Sequence, residues 1–112
     1  MPKYEPDRGD IIHIDFDPQA GHEEAGPHYA LVLSPKIYNA PTHLALMCPI
    51  TTEIKGYPFE VQFDPKFQIH GVVLADQVKN LDWVARGAVY KCHAPQVVMS
   101  EVMAKVKSIL GL

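Results

Sequence analysis

The sequence predicts a mainly β protein, a small β-barrel with one helix packed on it. Three observations carry that expectation. Short apolar runs recur along most of the chain, several of them alternating with polar residues. Proline, glycine and aspartate separate the runs at close spacing, as turns between strands do. Only the C-terminal segment changes to a helical period, with Val98, Val102, Val106 and Ile109 recurring at spacings of three and four. A length of 112 residues suits one domain over 1–112 with one core, and 47% apolar residues can fill it.

Taken in order, Pro2 to Arg8 is a polar, proline-bearing arm. Ile12, Ile14 and Phe16 then alternate with His13, Asp15 and Asp17, the period of a half-buried strand. Pro18 stops it, and a polar loop bounded by Gly21 and Pro27 follows. Tyr29 to Leu33 is apolar on both faces and reads as a central strand. Ser34-Pro35 has the form of a helix N-cap with proline in the first turn, so a short helical turn is expected over 36–39, ended by Ala40-Pro41. His43 to Cys48 reads as a strand closed by Pro49, with Thr51 and Thr52 at its mouth. Lys55-Gly56-Tyr57-Pro58 is a turn signal. Phe59, Val61 and Phe63 form a half-exposed strand, and Asp64-Pro65 turns the chain. Gly71 to Ala75 is a buried strand that Asp76 to Lys79 is expected to continue. Arg86 to Tyr90 reads as the last strand. The C-terminal helix starts at Pro95 and ends at Gly111, and Lys105 and Lys107 near its end suit the helix dipole.

Composition narrows the function. A formal charge of −3 predicts no strongly basic surface, so an anionic partner must meet a local basic patch. Cys48 and Cys92 are two isolated thiols without a Cys-x-x-Cys spacing, which points to buried free thiols in a reducing cytoplasm. The polar N-terminus is no signal peptide, and no apolar run approaches the roughly 20 residues of a membrane helix. A soluble cytoplasmic protein is therefore expected. The six histidines, at 13, 22, 28, 43, 70 and 93, have no metal-ligand spacing, and no metal or cofactor is expected.

The loop from Gly21 to Pro27 and the strand after it are the stretch best suited to mount chemistry, because a strand fixes where the loop begins and ends. The plain alternative is a solvated hairpin loop carrying acidic residues. Around it run the motifs Pro6-Asp7-Arg8-Gly9-Asp10, Asp15-Phe16-Asp17-Pro18, Gly21-x-Glu23-x-Ala25-Gly26 and Ala30-Leu31-Val32-Leu33-Ser34. Tyr38-Asn39, Pro49-Ile50-Thr51-Thr52, Lys55 to Val61, Gly71 to Lys79, Trp83 and Arg86-Gly87-Ala88 follow. This order of motifs resembles the MazF/PemK toxins of bacterial toxin–antitoxin systems. The resemblance implies an SH3-like barrel of the MazF/PemK/CcdB type with a C-terminal helix. It also implies a homodimer that cuts single-stranded RNA without metal, and a cognate antitoxin whose acidic, disordered tail covers the RNA groove. The family's threonine corresponds to Thr51 and its loop glutamate to Glu23. The arginine of the family's Gly-x-Arg-Pro is replaced by His28, and the proline after it by Tyr29.

Metal-free RNA cleavage uses the 2′-hydroxyl as nucleophile. It needs a base for that hydroxyl, donors to the phosphate oxygens and an acid for the leaving oxygen. Arginine suits the donor role because its fork stays charged. An imidazole can donate one bond to phosphate and can also carry protons near neutral pH. Accordingly His28, Thr51 and Glu23 are the catalytic candidates, with a tolerated loop imidazole, a turn hydroxyl and a solvated carboxylate as their plain alternatives. Lys55, Tyr57, Lys79 and Arg86 are candidates for the RNA groove, where charge meets phosphate and an aromatic face stacks a base. Asp76 and Gln77 are candidates to read base edges. His13, His43 and His70 read as structural or surface residues, and Trp83 as core or dimer interface. Two other functions are a non-catalytic module that binds RNA or antitoxin, because His28 replaces the arginine, and a gyrase poison of the related fold. Gyrase-poisoning CcdB toxins end in Trp-Gly-Ile, whereas this chain ends Ser108-Ile109-Leu110-Gly111-Leu112.

Overall fold

Strand β2, Pro27–Val32, lies at the centre of the sheet, hydrogen-bonded to β1 (Asp10–Asp15) on one side and β3 (Leu44–Thr51) on the other. The computed structural model describes residues 4–17 and 26–112. Ala30, Leu31 and Val32 have no exposed surface, so the run read as apolar on both faces is buried on both. All pairings are antiparallel. The remaining strands are β4 (Glu60–Gln62), β5 (Val72–Leu74), β6 (Lys79–Asp82) and β7 (Val89–His93), and the helices are α1 (Lys36–Thr42) and α2 (Gln96–Ile109). The strand order is β4-β5-β3-β2-β1-β7, with β6 also on β3. This is the mainly β architecture expected, the SH3-like barrel with a C-terminal helix.

Two clusters of apolar side chains use the two faces. Ile11, Leu31, Cys48, Val73 and Cys92 pack with Val98, Met99 and Val102 of α2. Ile12, Ile14, Phe16, Ala30, Val32 and Met47 pack with Trp83. Trp83 is thus core. Its indole N–H donates to the carbonyl of Asn39 at 2.9 Å.

Strand β3 explains several departures from the expected boundaries. Its outer edge meets β6 through residues 44–47 and β5 through Ile50 and Thr51. The carbonyl of Leu46 accepts from Leu33 on the β2 side, so even-numbered residues of β3 address β2 and odd ones the other edge. Pro49 therefore points its N–H-less nitrogen into the gap between β6 and β5, where no ladder bond is lost. That is why β3 passes through Pro49 to Thr51 instead of closing there. The same switch breaks the continuation expected from Gly71 to Lys79. After Leu74 the chain turns, with Gln77 N–H donating to the Leu74 carbonyl, and re-enters as the separate strand β6.

The last strand also lies later than expected, at Val89–His93, because Arg86 and Gly87 belong to the preceding turn, with Gly87 at φ +66°. Helix α1 extends through Pro41 to Thr42, and Ser34 does not cap it. The Ser34 hydroxyl donates to the side-chain oxygen of buried Asn39 and accepts from Leu46 N–H. Asp7 supplies the cap from the arm, taking the N–H of Lys36 at 2.8 Å. That bond, with a second from Arg8 N–H, holds the Asp7 carboxyl below its ordinary range. On α2 the stripe begins buried at Val98 and Val102 but leaves the core at Ile109, which is 47% exposed. Cys48 and Cys92 are buried and free.

Candidate active site

His28 enters β2 directly after Pro27. The cross-strand partner of Tyr29 is Ile50, so continuing the antiparallel register sets His28 opposite Thr51 at the end of β3. On its other side His28 pairs with Ile14, and its ring lies 6.1 Å from that of Phe16. The two candidates the sequence put 23 residues apart thus become cross-strand neighbours. Thr51 is buried, and its Oγ1 accepts the N–H of Glu53 at 3.1 Å. That bond occupies a lone pair and leaves the hydroxyl proton to donate. The turn role and the donor role are therefore compatible.

His28 and Thr51 open into a pocket of about 200 Å³ lined also by His13, Tyr29, Ile50, Thr52 and His70. His13 is held on β1 with its ring edge-on to Tyr29 at 5.5 Å. His70 is held by the residue after it. Gly71 has φ +108°, and a Cβ there would stand 2.1 Å from the carbonyl oxygen of Thr51. Only glycine allows this approach, which sets the chain next to His70 against the Thr51–Thr52 backbone. His13 and His70, read from the sequence as structural or surface residues, are the pocket residues it left out of the candidate site. Neither belongs to a periodic motif, and only the sheet order reveals them.

Thr51 is also a wall of a second, smaller pocket, about 40 Å³, with Glu53, Lys55, Tyr57, Glu60, Leu74 and Gln77. The loop carrying Lys55 and Tyr57 is tied down from three sides. The Glu60 carboxylate accepts the N–H groups of Lys55 and Gly56 at 3.0 and 2.8 Å. The Tyr57 hydroxyl donates to Asp76 at 3.0 Å. Lys105 of α2 donates to the Pro58 carbonyl at 2.6 Å. The Lys55 ammonium lies 3.5 Å from the Glu53 carboxylate, an exposed pair of little energetic weight.

Three of the six groove candidates, Lys55, Tyr57 and Gln77, therefore gather beside Thr51, and Asp76 is joined to them through the Tyr57 hydroxyl while lining a separate apolar groove. Lys79 and Arg86 do not line either pocket. Lys79 sits on β6 opposite Met47. Arg86 bridges to the carbonyls of Asp15 and Asp17 at 3.1 and 2.7 Å, bracing the end of β1. Glu23 lies outside the described residues. Among the described residues no group of three or more His, Cys, Asp or Glu is arranged to hold a metal ion, and no helix is long and apolar enough to cross a membrane.

A hydroxyl and three imidazoles thus share one pocket, with a second pocket bearing an aromatic ring and an amide alongside. Residues 7–110 match the model of the PemK-like, MazF-like toxins of type II toxin–antitoxin systems, and the chain belongs to that family. It is 46% identical over 109 residues to the endoribonuclease toxin MazF of Escherichia coli K12, covering 97% of each chain. It resembles the crystal structure of MazF from Deinococcus radiodurans with a TM-score of 0.95 and 47% identity, covering 98% of this chain and 100% of that one. It also resembles a MazE–MazF structure from the same organism with a TM-score of 0.89 and 47% identity, covering 98% and 99%.

Proposed function

We propose that this protein is the toxin of a bacterial toxin–antitoxin system, an endoribonuclease that cleaves single-stranded RNA at short sequence motifs and thereby stops translation. The observation that carries the reading is that His28, at the start of β2, and Thr51, at the end of β3, line one open pocket. Support also comes from the endoribonuclease names of the relatives.

In this reading the 2′-hydroxyl attacks the adjacent phosphorus as a base removes its proton. The 5′-oxygen leaves as it gains a proton, so the products are a 2′,3′-cyclic phosphate and a 5′-hydroxyl. Thr51 donates to a non-bridging oxygen, where charge builds up in the transition state. His28 stands where the family has arginine, and it trades permanent charge for the ability to move a proton. Glu23 acts as base or orients His28. Bases enter beside Thr51, where Tyr57 offers a stacking face and Asp76 and Gln77 offer polar groups to base edges. Lys55, Lys79 and Arg86 contribute positive charge along the bound strand. An acidic antitoxin tail is attracted to the same charges. The partner list is completed by a second copy of the chain. An apolar groove of about 730 Å³, lined by Leu46, Val78, Met103, Val106, Ile109 and Leu110, offers the surface for it.

The test is cleavage of a long RNA by the purified protein, with 5′ ends of the fragments sequenced. His28→Ala lowers the rate by about 10²–10⁴-fold with folding unchanged. His28→Arg keeps activity if the role is charge stabilisation and loses it, together with the pH dependence, if the role is proton transfer. A wild type that binds RNA without cutting it would leave only the non-catalytic module.

A further inference from the structure

The reaction needs a base and an acid on opposite sides of the phosphorus, because attack and departure are in line. Thr51 marks the phosphate position in the reading above. On β3 it is flanked by β2, which carries His28, and by β5, whose first residue Val72 is its ladder partner. His70 lies two residues before Val72, at the Thr51–Thr52 edge of the same pocket. His28 and His70 thus line one pocket with Thr51, His28 from the β2 side and His70 from the chain that leads into β5. Two imidazoles facing each other across a bound phosphodiester have the reach to serve its two ends.

We propose that His70 is a second catalytic imidazole, the general acid that protonates the leaving 5′-oxygen, opposite His28. This rests on the ribonuclease reading and deepens it. The 2′-hydroxyl proton passes to His28 or to the group it works with. The P–O5′ bond breaks, and the His70 proton ends on the 5′-oxygen. Deprotonated His70 regains a proton from water before the next turnover. The placement is rigid where it matters: Gly71 presses on the Thr51 carbonyl, and its own carbonyl accepts Phe63 N–H at 3.2 Å. The other residues lining this space are His13 from β1, His28 and Tyr29 from β2, Ile50 and Thr51 from β3, and Thr52 just after it. Among these, His13 is farthest from the Thr51 side, since β1 and β3 are separated by β2.

A leaving-group substitution tests the assignment. A short RNA spanning one site cut by the wild type is made twice, once with the ordinary linkage and once with the scissile 5′-oxygen replaced by sulfur. A thiolate departs without a proton, so the acid becomes dispensable. His70→Ala is expected to lose about 10²–10⁴-fold on the ordinary RNA and to approach the wild-type rate on the sulfur RNA. His28→Ala keeps its defect on both, and His13→Ala gives no sulfur-specific rescue. His70→Gln behaves as His70→Ala, and thermal melting of both variants matches the wild type because the side chain is exposed. Wild-type cleavage of ordinary RNA by His70→Ala, or an equal loss on both substrates, overturns the proposal. A wild type that cleaves neither RNA overturns the ribonuclease reading instead.

Discussion

Gly71→Ala is the smallest change that reaches the site through the backbone. The added methyl would lie 2.1 Å from the Thr51 carbonyl oxygen and 2.8 Å from its carbonyl carbon, whereas ordinary contact begins at 3.4 Å. The neighbour is backbone, with no rotamer to give way, so β3 and the chain before β5 must part by roughly 1 Å. A non-glycine residue at φ +108° adds about 1–3 kcal/mol of strain. Forcing a methyl into a packed contact adds about 1–3 kcal/mol more. A loss near 3 kcal/mol lowers the melting temperature of a chain this size by roughly 12 °C. The same displacement moves Thr51 away from His28, and a misplacement of about 1 Å costs on the order of 10²-fold in rate. Circular dichroism melts and RNA cleavage, measured at a temperature where the variant is fully folded, read the two effects separately. A variant that melts within about 2 °C of the wild type and cleaves at its rate would show that this approach does not hold the site.

Asn39→Ala removes a wholly buried amide that donates to the Pro6 and Ser34 carbonyls and accepts from the Ser34 hydroxyl. Chemical denaturation should show a loss of roughly 2–4 kcal/mol, because buried partners are left unpaired. Burial pushes the Cys48 thiol up to about 12, so its share of stability is full below the ordinary thiol range near 8.5 and is lost as pH rises toward 12. The melting temperature should therefore fall above pH 9, and less steeply in Cys48→Ala; equal slopes would refute this. Light scattering at micromolar concentration should give a dimer, and Leu110→Asp, at a 66% exposed position on the apolar groove, should shift it toward monomer.

Regular alternation made β1 and β4 legible, and continuous apolar character made β2 legible, because those patterns are set by which face is buried. Thr51 and His28 were legible as candidates from the residues around them. Strand β6 was not, since Lys79-Asn80-Leu81-Asp82 is a polar edge segment stabilised by pairing with β3. Val89 and Tyr90 do lie in the last strand as expected, although they are 61% and 48% exposed.

By itself the sequence determined the fold class, the terminal helix, the family resemblance and the departure at His28, all of which are local in the chain. Only the tertiary structure decided what stands beside what. It brought His13 and His70 into the pocket of His28 and Thr51, took Arg86 to the end of β1, and moved the cap of α1 from Ser34 to Asp7. Each depends on strand order, register or a contact between segments distant in sequence. Such contacts form because the sheet must bury both faces of β2, and no local pattern encodes which neighbours that burial selects.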